Sequence, residues 1–353
     1  ILHARVRDSS RPSTMCAPAV HAPPGLRFAL GMLFLVLDQA FWGLPMPFVA
    51  LFIWATSRAV LALTGYEVPL WLVTPWDTLC CMYLRGHGVR ILDADTGAST
   101  GAADGLAIPG ITSFRGVLLM NHRSWGDFVV DPYQGHCAVV ARFAAVAVTC
   151  FAGVLGRLCS RVIMIERGKT SRVQLLDMCR SHERYLIFPE GTRRAGTPGS
   201  DLPVALAGVG GLKNIWESRR DALVVITANK ERIVNERHGR ASYNTTLYRA
   251  RAAAPVRPSE HATFEEFHAA LEATWRETWA RAYALRDECE RCATRLSTSS
   301  PSPPHSPGPS RRRQPAAHHP LQLAAEGGWR PTWPREAGTA RRAGSARHPP
   351  ARR

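Results

Sequence analysis

Hydrophobic and polar positions divide the chain into three unequal stretches. Across residues 28–56 (FALGMLFLVLDQAFWGLPMPFVALFIWAT) nearly every position is apolar, interrupted only by Asp38-Gln39 and by Pro45 and Pro47 near the middle. A bilayer crossing takes about 20 residues, so the run is long enough for one span and too short for two full ones. The prolines would either kink a single span or turn a re-entrant hairpin. Arg27 and Arg58 flank the run on both sides, which favours a hairpin with both ends cytosolic. A further apolar patch at 68–73 would lie in the membrane interface through Trp71 and Trp76. A membrane-embedded helical segment is therefore expected over 26–76, behind a disordered stretch at 1–25.

Beyond a Gly/Ala/Asp/Thr-rich connector at 93–110, short apolar runs alternate with longer helical patterns. Residues 116–120, 162–165, 186–188 and 222–226 read as buried strands, and 137–158 and 169–184 as helices, the second starting at Thr170 or Ser171. Alternation of this kind predicts an α/β domain over 77–292, a mostly parallel sheet flanked by helices. Phe264, Phe267, Leu271, Trp275, Trp279 and Tyr283 then recur every three or four residues. That is an amphipathic helix, and its aromatic stripe fits core packing better than a membrane or partner surface.

Charge changes the picture only at the C-terminal end. Residues 296–353 hold ten arginines against Glu326 and Glu336, a net of +8 within a chain total of +16. With few aliphatics and a Ser/Pro-rich opening, 293–353 cannot bury enough apolar surface to offset the entropy of ordering, and it reads as a disordered basic tail. No nucleic-acid recognition module accompanies the basicity, so anionic lipid headgroups are the expected partner and nucleic acid is not. Nine cysteines show no framework spacing, which points to a reducing compartment. Cys289-Glu-Arg-Cys292 lacks a second ligand pair and reads as a helix end, so no metal is expected.

The segment Asn121-His122-Arg123-Ser124-Trp125-Gly126-Asp127 directly follows a predicted strand. His122 and Asp127 stand five apart, about 140° around an ideal helix, so they meet only if the residues between them turn or start a helix. A carboxylate on one imidazole nitrogen fixes the tautomer and leaves the other nitrogen to take a proton from an attacking hydroxyl. Taken alone, the pair reads equally well as a histidine at a helix start beside a solvated aspartate. A second segment, 186–194 (LIFPEGTRR), leaves another predicted strand through Pro189 and a glycine turn. It sets Thr192, the Gly191 amide and Arg193 at the strand's C-terminal end, where open α/β sheets bind ligands and where a guanidinium suits a phosphate.

NHRSWGD followed by FPEGTR, over roughly 115–230, resembles the glycerophospholipid acyltransferase family, which includes glycerol-3-phosphate and 1-acylglycerol-3-phosphate acyltransferases. The resemblance implies that His122 is the general base and Asp127 its orienting partner. It also implies that Glu190, Gly191, Thr192 and Arg193 hold the glycerol-phosphate part of the acceptor, with Asn121 and Ser124 on the substrate side of the same turn. A strand ending in Arg167 matches a third block and would supply a second phosphate ligand. The fourth block departs from the pattern, because Thr227-Ala228-Asn229-Lys230 stands where the family usually carries a proline.

The implied reaction is transfer from acyl-CoA, a co-substrate rather than a cofactor, to a lysophospholipid hydroxyl in a phospholipid membrane. Backbone amides near the motif would stabilise the oxyanion. Lysophosphatidic acid is the favoured acceptor, a lysophospholipid or lysocardiolipin the alternative, and a non-catalytic lipid-binding role the third reading. The implied location is the endoplasmic reticulum membrane with the active site facing the cytosol, where the sequon Asn244-Thr245-Thr246 would go unused. Lys213, Lys230 and Arg232 read as ordinary surface charge or as contacts for CoA phosphates.

Overall fold

The computed structural model describes residues 24–97, 99–100, 106–143, 149–166, 168–191, 193, 201–206 and 209–298. Arg167, Thr192, most of the expected N-terminal stretch and the tail beyond 298 lie outside the described residues.

Strands β1 (Arg90–Asp93), β2 (Ser99–Thr100), β3 (Gly116–Met120), β4 (Ala138–Arg142), β5 (Val162–Ile165), β6 (Arg184–Ile187), β7 (Ala222–Ala228) and β10 (Thr246–Arg251) form one sheet. Its order is β2-β1-β10-β7-β3-β6-β4-β5. The run β7-β3-β6-β4-β5 is parallel throughout, whereas β10 is antiparallel to β7 and β2 to β1. A short separate ribbon pairs β8 (Val234–Asn235) with β9 (Arg240–Ala241). Every position of β3 and β7 is buried, which is why these strands are continuous apolar runs instead of alternating ones: helices cover both faces of a parallel sheet.

The helix expected over 137–158 is corrected. Its first part is strand β4, paired with β6 and β5, and the helix described in its second part is Cys150–Leu158 (α5). The β-branched Val139 finds strand partners on both sides and Val140 on the β5 side, and that pairing outweighs a run long enough for a helix. Strands β1 and β10 escape a search for apolar runs because β10 contains Arg249. That guanidinium is buried against Asp93 at 2.8 Å and donates to the Leu106 carbonyl. Helix α6 (Arg172–Arg180) starts at Ser171 as expected, through a capping box with Gln174, and α7 (Val209–Glu217) leads to β7.

The last helix, α9 (Phe264–Thr298), runs past residue 292, where the domain was expected to end. Phe267, Leu271, Trp275 and Trp279 are buried in the main core beside β7 and β10, so the aromatic stripe is core packing.

At the other end, α1 (Pro24–Gly43) and α2 (Met46–Thr64) are separated by Leu44-Pro45. The stretch Phe28–Thr64 is long and apolar enough to cross a membrane, and large side chains point outward along it, Phe52 69% and Leu63 88% exposed. Asp38 is turned inward. It accepts a hydrogen bond from the Tyr243 hydroxyl at 3.4 Å and lies 3.4 Å from His87 Nε2. Gly31 backs directly onto the Gly239 carbonyl, leaving no room for a Cβ. The interface position expected for Trp76 is corrected: in the first turn of α3 (Pro75–Gly86), capped by Thr74 and Asp77, it is buried in the protein with Leu79 and Cys80.

Candidate active site

Four strands of the parallel run deliver the site at their C-terminal ends, the edge where such sheets bind ligands. From β3 the chain enters Asn121-His122 and turns into α4 (Asp127–Gly135), which begins at Asp127 itself. The helix start brings the carboxylate back: His122 Nδ1 lies 2.9 Å from Asp127 Oδ2, and the same oxygen accepts from the amides of Arg123 and, at 3.0 Å, Ser124. With Nδ1 held by Asp127, Nε2 is the nitrogen left for a substrate proton. The imidazole stacks on Phe188 at 4.2 Å between centroids and meets the edge of Phe128 at 5.7 Å.

The loop after β6 closes on this turn. Glu190 Oε1 accepts from the His122 amide at 3.0 Å, and Gly191 adopts a left-handed conformation at φ 67°. Arg193 pairs with Glu236 at 2.6 Å and lies over the Trp125 ring. His122, Asp127, Glu190, Gly191 and Arg193 are thus brought together as the motifs imply. Asn121 and Ser124 are placed differently from the expectation. The Asn121 amide both donates to and accepts from the Thr227 backbone, at 3.0 and 2.9 Å, and Ser124 Oγ accepts from the Gly126 amide. Both side chains are buried and brace the turn instead of facing substrate.

The oxyanion expectation also changes. The amides of 122 to 126 are all engaged, by Glu190, Asp127, Asp127, Glu236 and Ser124 respectively. None is left to face a developing alkoxide.

Two groups that the motifs do not single out complete the site. Lys230, expected at the surface or on CoA, is wholly buried at the start of the short α8 (Lys230–Ile233). It pairs with Asp131 at 2.6 Å and lies 3.7 Å from Asp127 Oδ1. Asp131 stands four residues after Asp127 on α4, a spacing that puts both carboxylates on one helix face and was open to reading from the sequence.

Burial opposes ionisation of Asp127, yet Lys230, His122 and the neighbouring amides prevail and hold it below its ordinary value. Asp131 is pushed up to about 7, chiefly by burial and with help from Asp127, although Lys230 pulls the other way. Glu190 also rises to about 7, again chiefly through burial, against the pull of the His122 amide, Lys230 and Arg123.

His122 opens onto a cavity of about 650 Å³, within the size range of small-molecule sites. Tyr185, Ile187 and Phe188 line it from the sheet, Phe128 and Val129 from α4, and Trp42, Trp76 and Leu79 from α1 and α3; Arg142 and Arg193 supply cations.

Residues 111–238 match the family described as Acyltransferase. No curated protein matches the sequence. Among solved structures, the chain is similar to the 1-acyl-sn-glycerophosphate (LPA) acyltransferase PlsC from Thermotoga maritima. The likeness has 12% identity and a TM-score of 0.45, covering 73% of this chain and 98% of that one.

Proposed function

From the premise that residues 111–238 form an acyltransferase-family domain, we propose that the chain transfers an acyl group from acyl-CoA to the free hydroxyl of lysophosphatidic acid, giving phosphatidic acid. The observation that carries this reading is the His122–Asp127 pair opening onto a largely apolar cavity. His122 Nε2 takes the hydroxyl proton as the acceptor oxygen attacks the thioester carbonyl. The tetrahedral intermediate collapses with cleavage of the C–S bond, and CoA leaves as thiolate, recovering the proton from the imidazolium. Asp127 stabilises that imidazolium while it exists. The acyl chain lies among Phe128, Phe188 and Tyr185, and Arg193 and Arg142 face the acceptor phosphate.

The outward apolar side chains of α1 and α2 support work at a lipid surface, where the acceptor is already dissolved. The placement we favour is the endoplasmic reticulum membrane with the site facing the cytosol, where nine cysteines without framework spacing meet a reducing side.

The test is acyl transfer from labelled oleoyl-CoA by membranes carrying the chain, across glycerol 3-phosphate and a panel of lysophospholipids, beside His122→Ala. Labelling of lysophosphatidic acid that requires His122 is the expected result. Labelling confined to another lysophospholipid replaces the acceptor, and a panel with no His122-dependent product overturns the enzymatic reading.

A further inference from the structure

A wholly buried ammonium persists only where anions and carbonyls receive it. Lys230 has such a setting: Asp131 Oδ2 at 2.6 Å, Asp127 Oδ1 at 3.7 Å, and the Asn121 carbonyl, to which it donates. The two oxygens of Asp127 therefore face different partners. Oδ2 gathers His122 Nδ1 and two amides, while Oδ1 has no hydrogen-bond partner among the described residues and lies toward Lys230. By joining the end of β7 to the carbonyl at the end of β3, Lys230 also ties together the two strand ends that carry the site.

We propose that Lys230 is a positioning residue for the reaction, one that keeps Asp127 ionised and aimed at His122, with Asp131 as the carboxylate that holds Lys230 in place. The catalytic sense of this rests on the proposed function; the electrostatic arrangement does not. Asp127 can orient His122 and stabilise its cation only as a carboxylate, and burial works against that form. Lys230 is the cation nearest its unbonded oxygen.

The other groups facing the cluster do not replace it. From the loop after β6, Glu190 brings a further carboxyl rather than a cation, and Phe188 presents its ring 5.9 Å from Nζ. Arg123 is directed away, to Glu231 at 3.2 Å and Asp201 at 3.1 Å. Removing the ammonium thus leaves Asp127, Asp131 and Glu190 as neighbouring buried carboxyls with no cation between them, and the hydrogen-bonded His122–Asp127 pair as a whole then keeps its proton to higher pH. Removing the Asp131 carboxylate has the opposite sign, because Lys230 then acts on Asp127 and His122 alone. A lysine serving the fold alone predicts no such pair of opposed shifts.

The experiment follows acyl transfer against pH in wild type, Lys230→Met, Lys230→Arg and Asp131→Asn. The His122 imidazole is titrated in parallel by NMR of histidine-labelled protein in detergent, its signal assigned by loss in His122→Ala. Lys230→Met is expected to lower kcat roughly 10- to 100-fold with KM nearly unchanged, as for other groups that orient a histidine through its partner. Its acidic limb and the His122 midpoint should move up by about one pH unit. Lys230→Arg should recover part of the rate, and Asp131→Asn should lower the rate less and move both midpoints down.

Midpoints equal to wild type in Lys230→Met and Asp131→Asn overturn the inference even if both are slow. Should Lys230→Met not fold, as judged by thermal unfolding, Asp131→Asn alone decides, by moving the His122 midpoint down or leaving it in place. Opposed midpoint shifts in a chain that acylates nothing support the electrostatic arrangement and overturn the proposed function instead.

Discussion

Two helical stretches of this chain are rich in large apolar side chains and meet opposite fates. In α9 the aromatic positions return every three or four residues with Glu and Arg between them, so a single stripe forms and is buried on β7 and β10. In α1 and α2 apolar residues occupy all faces. One face docks through Leu35 and Ala50, and the rest, Leu33, Leu37, Phe48, Phe52 and Leu63 among them, stays outside. The number of apolar faces, rather than apolar content, decides which helix the protein itself can satisfy. Between 28 and 57 the one charged residue, Asp38, turns away from the outward surface to meet His87 and Tyr243. A helix apolar on all its other faces that must carry a carboxylate places it against the protein, where partners receive it.

The largest expected effect separates chemistry from membrane attachment. His122→Ala should cut acyl transfer on the order of 10²- to 10⁴-fold, while sedimentation with phospholipid vesicles stays at the wild-type level. Loss of vesicle binding in this variant would break the division between the two regions.

Next in size is the contrast between the helices themselves. Trp275→Ala removes a wholly buried ring from α9 and should destabilise the fold by about 3–5 kcal/mol in denaturant titration. Phe52→Ala, on the outward face of α2, should change stability in detergent by less than about 0.5 kcal/mol. Equal losses would mean that α2 is packed as α9 is.

At the sheet's edge the contrast is between an apolar core group and a buried acid. Glu190 is protonated in both folded and unfolded chains below about pH 4.5, and only the folded chain keeps its proton up to about 7. Wild type therefore loses stability as pH rises through that window. Glu190→Gln, which keeps the acceptor for the His122 amide, should be more stable than wild type by about 1–3 kcal/mol at pH 8 and equal to it near pH 4. A difference that does not vary with pH would rule out the buried acid as its source.

The smallest effect belongs to single outward side chains. Leu63→Asn should weaken vesicle partitioning by about 1–2 kcal/mol and leave thermal unfolding in detergent unchanged. Unchanged partitioning would take the end of α2 out of the lipid contact.

Much of the site was legible because its parts are local. His122 and Asp127 are joined by a turn and a helix start, and the loop at 188–193 leaves its strand in one step. Runs such as 116–120 and 222–226 announce buried parallel strands by being apolar throughout. What stayed hidden depends on residues distant in sequence. Strand β4 lay inside an apparent helix because its partners, β5 and β6, supply the pairing. Asn121 read as facing substrate, whereas the backbone of Thr227, far along the chain, takes both ends of its amide.

By itself the sequence determined the chemistry-bearing motifs, the apolar all-round character of the N-terminal helices and the one-sided character of α9, since each depends on neighbours within a few positions. Only the tertiary structure decided the environment of charge. Lys230 and Asp131 are 99 residues apart, and nothing in either segment tells a solvated lysine from one buried against two carboxylates. The cost of burying a charge depends on what surrounds it in space, and that is settled only when β3, β7 and α4 meet.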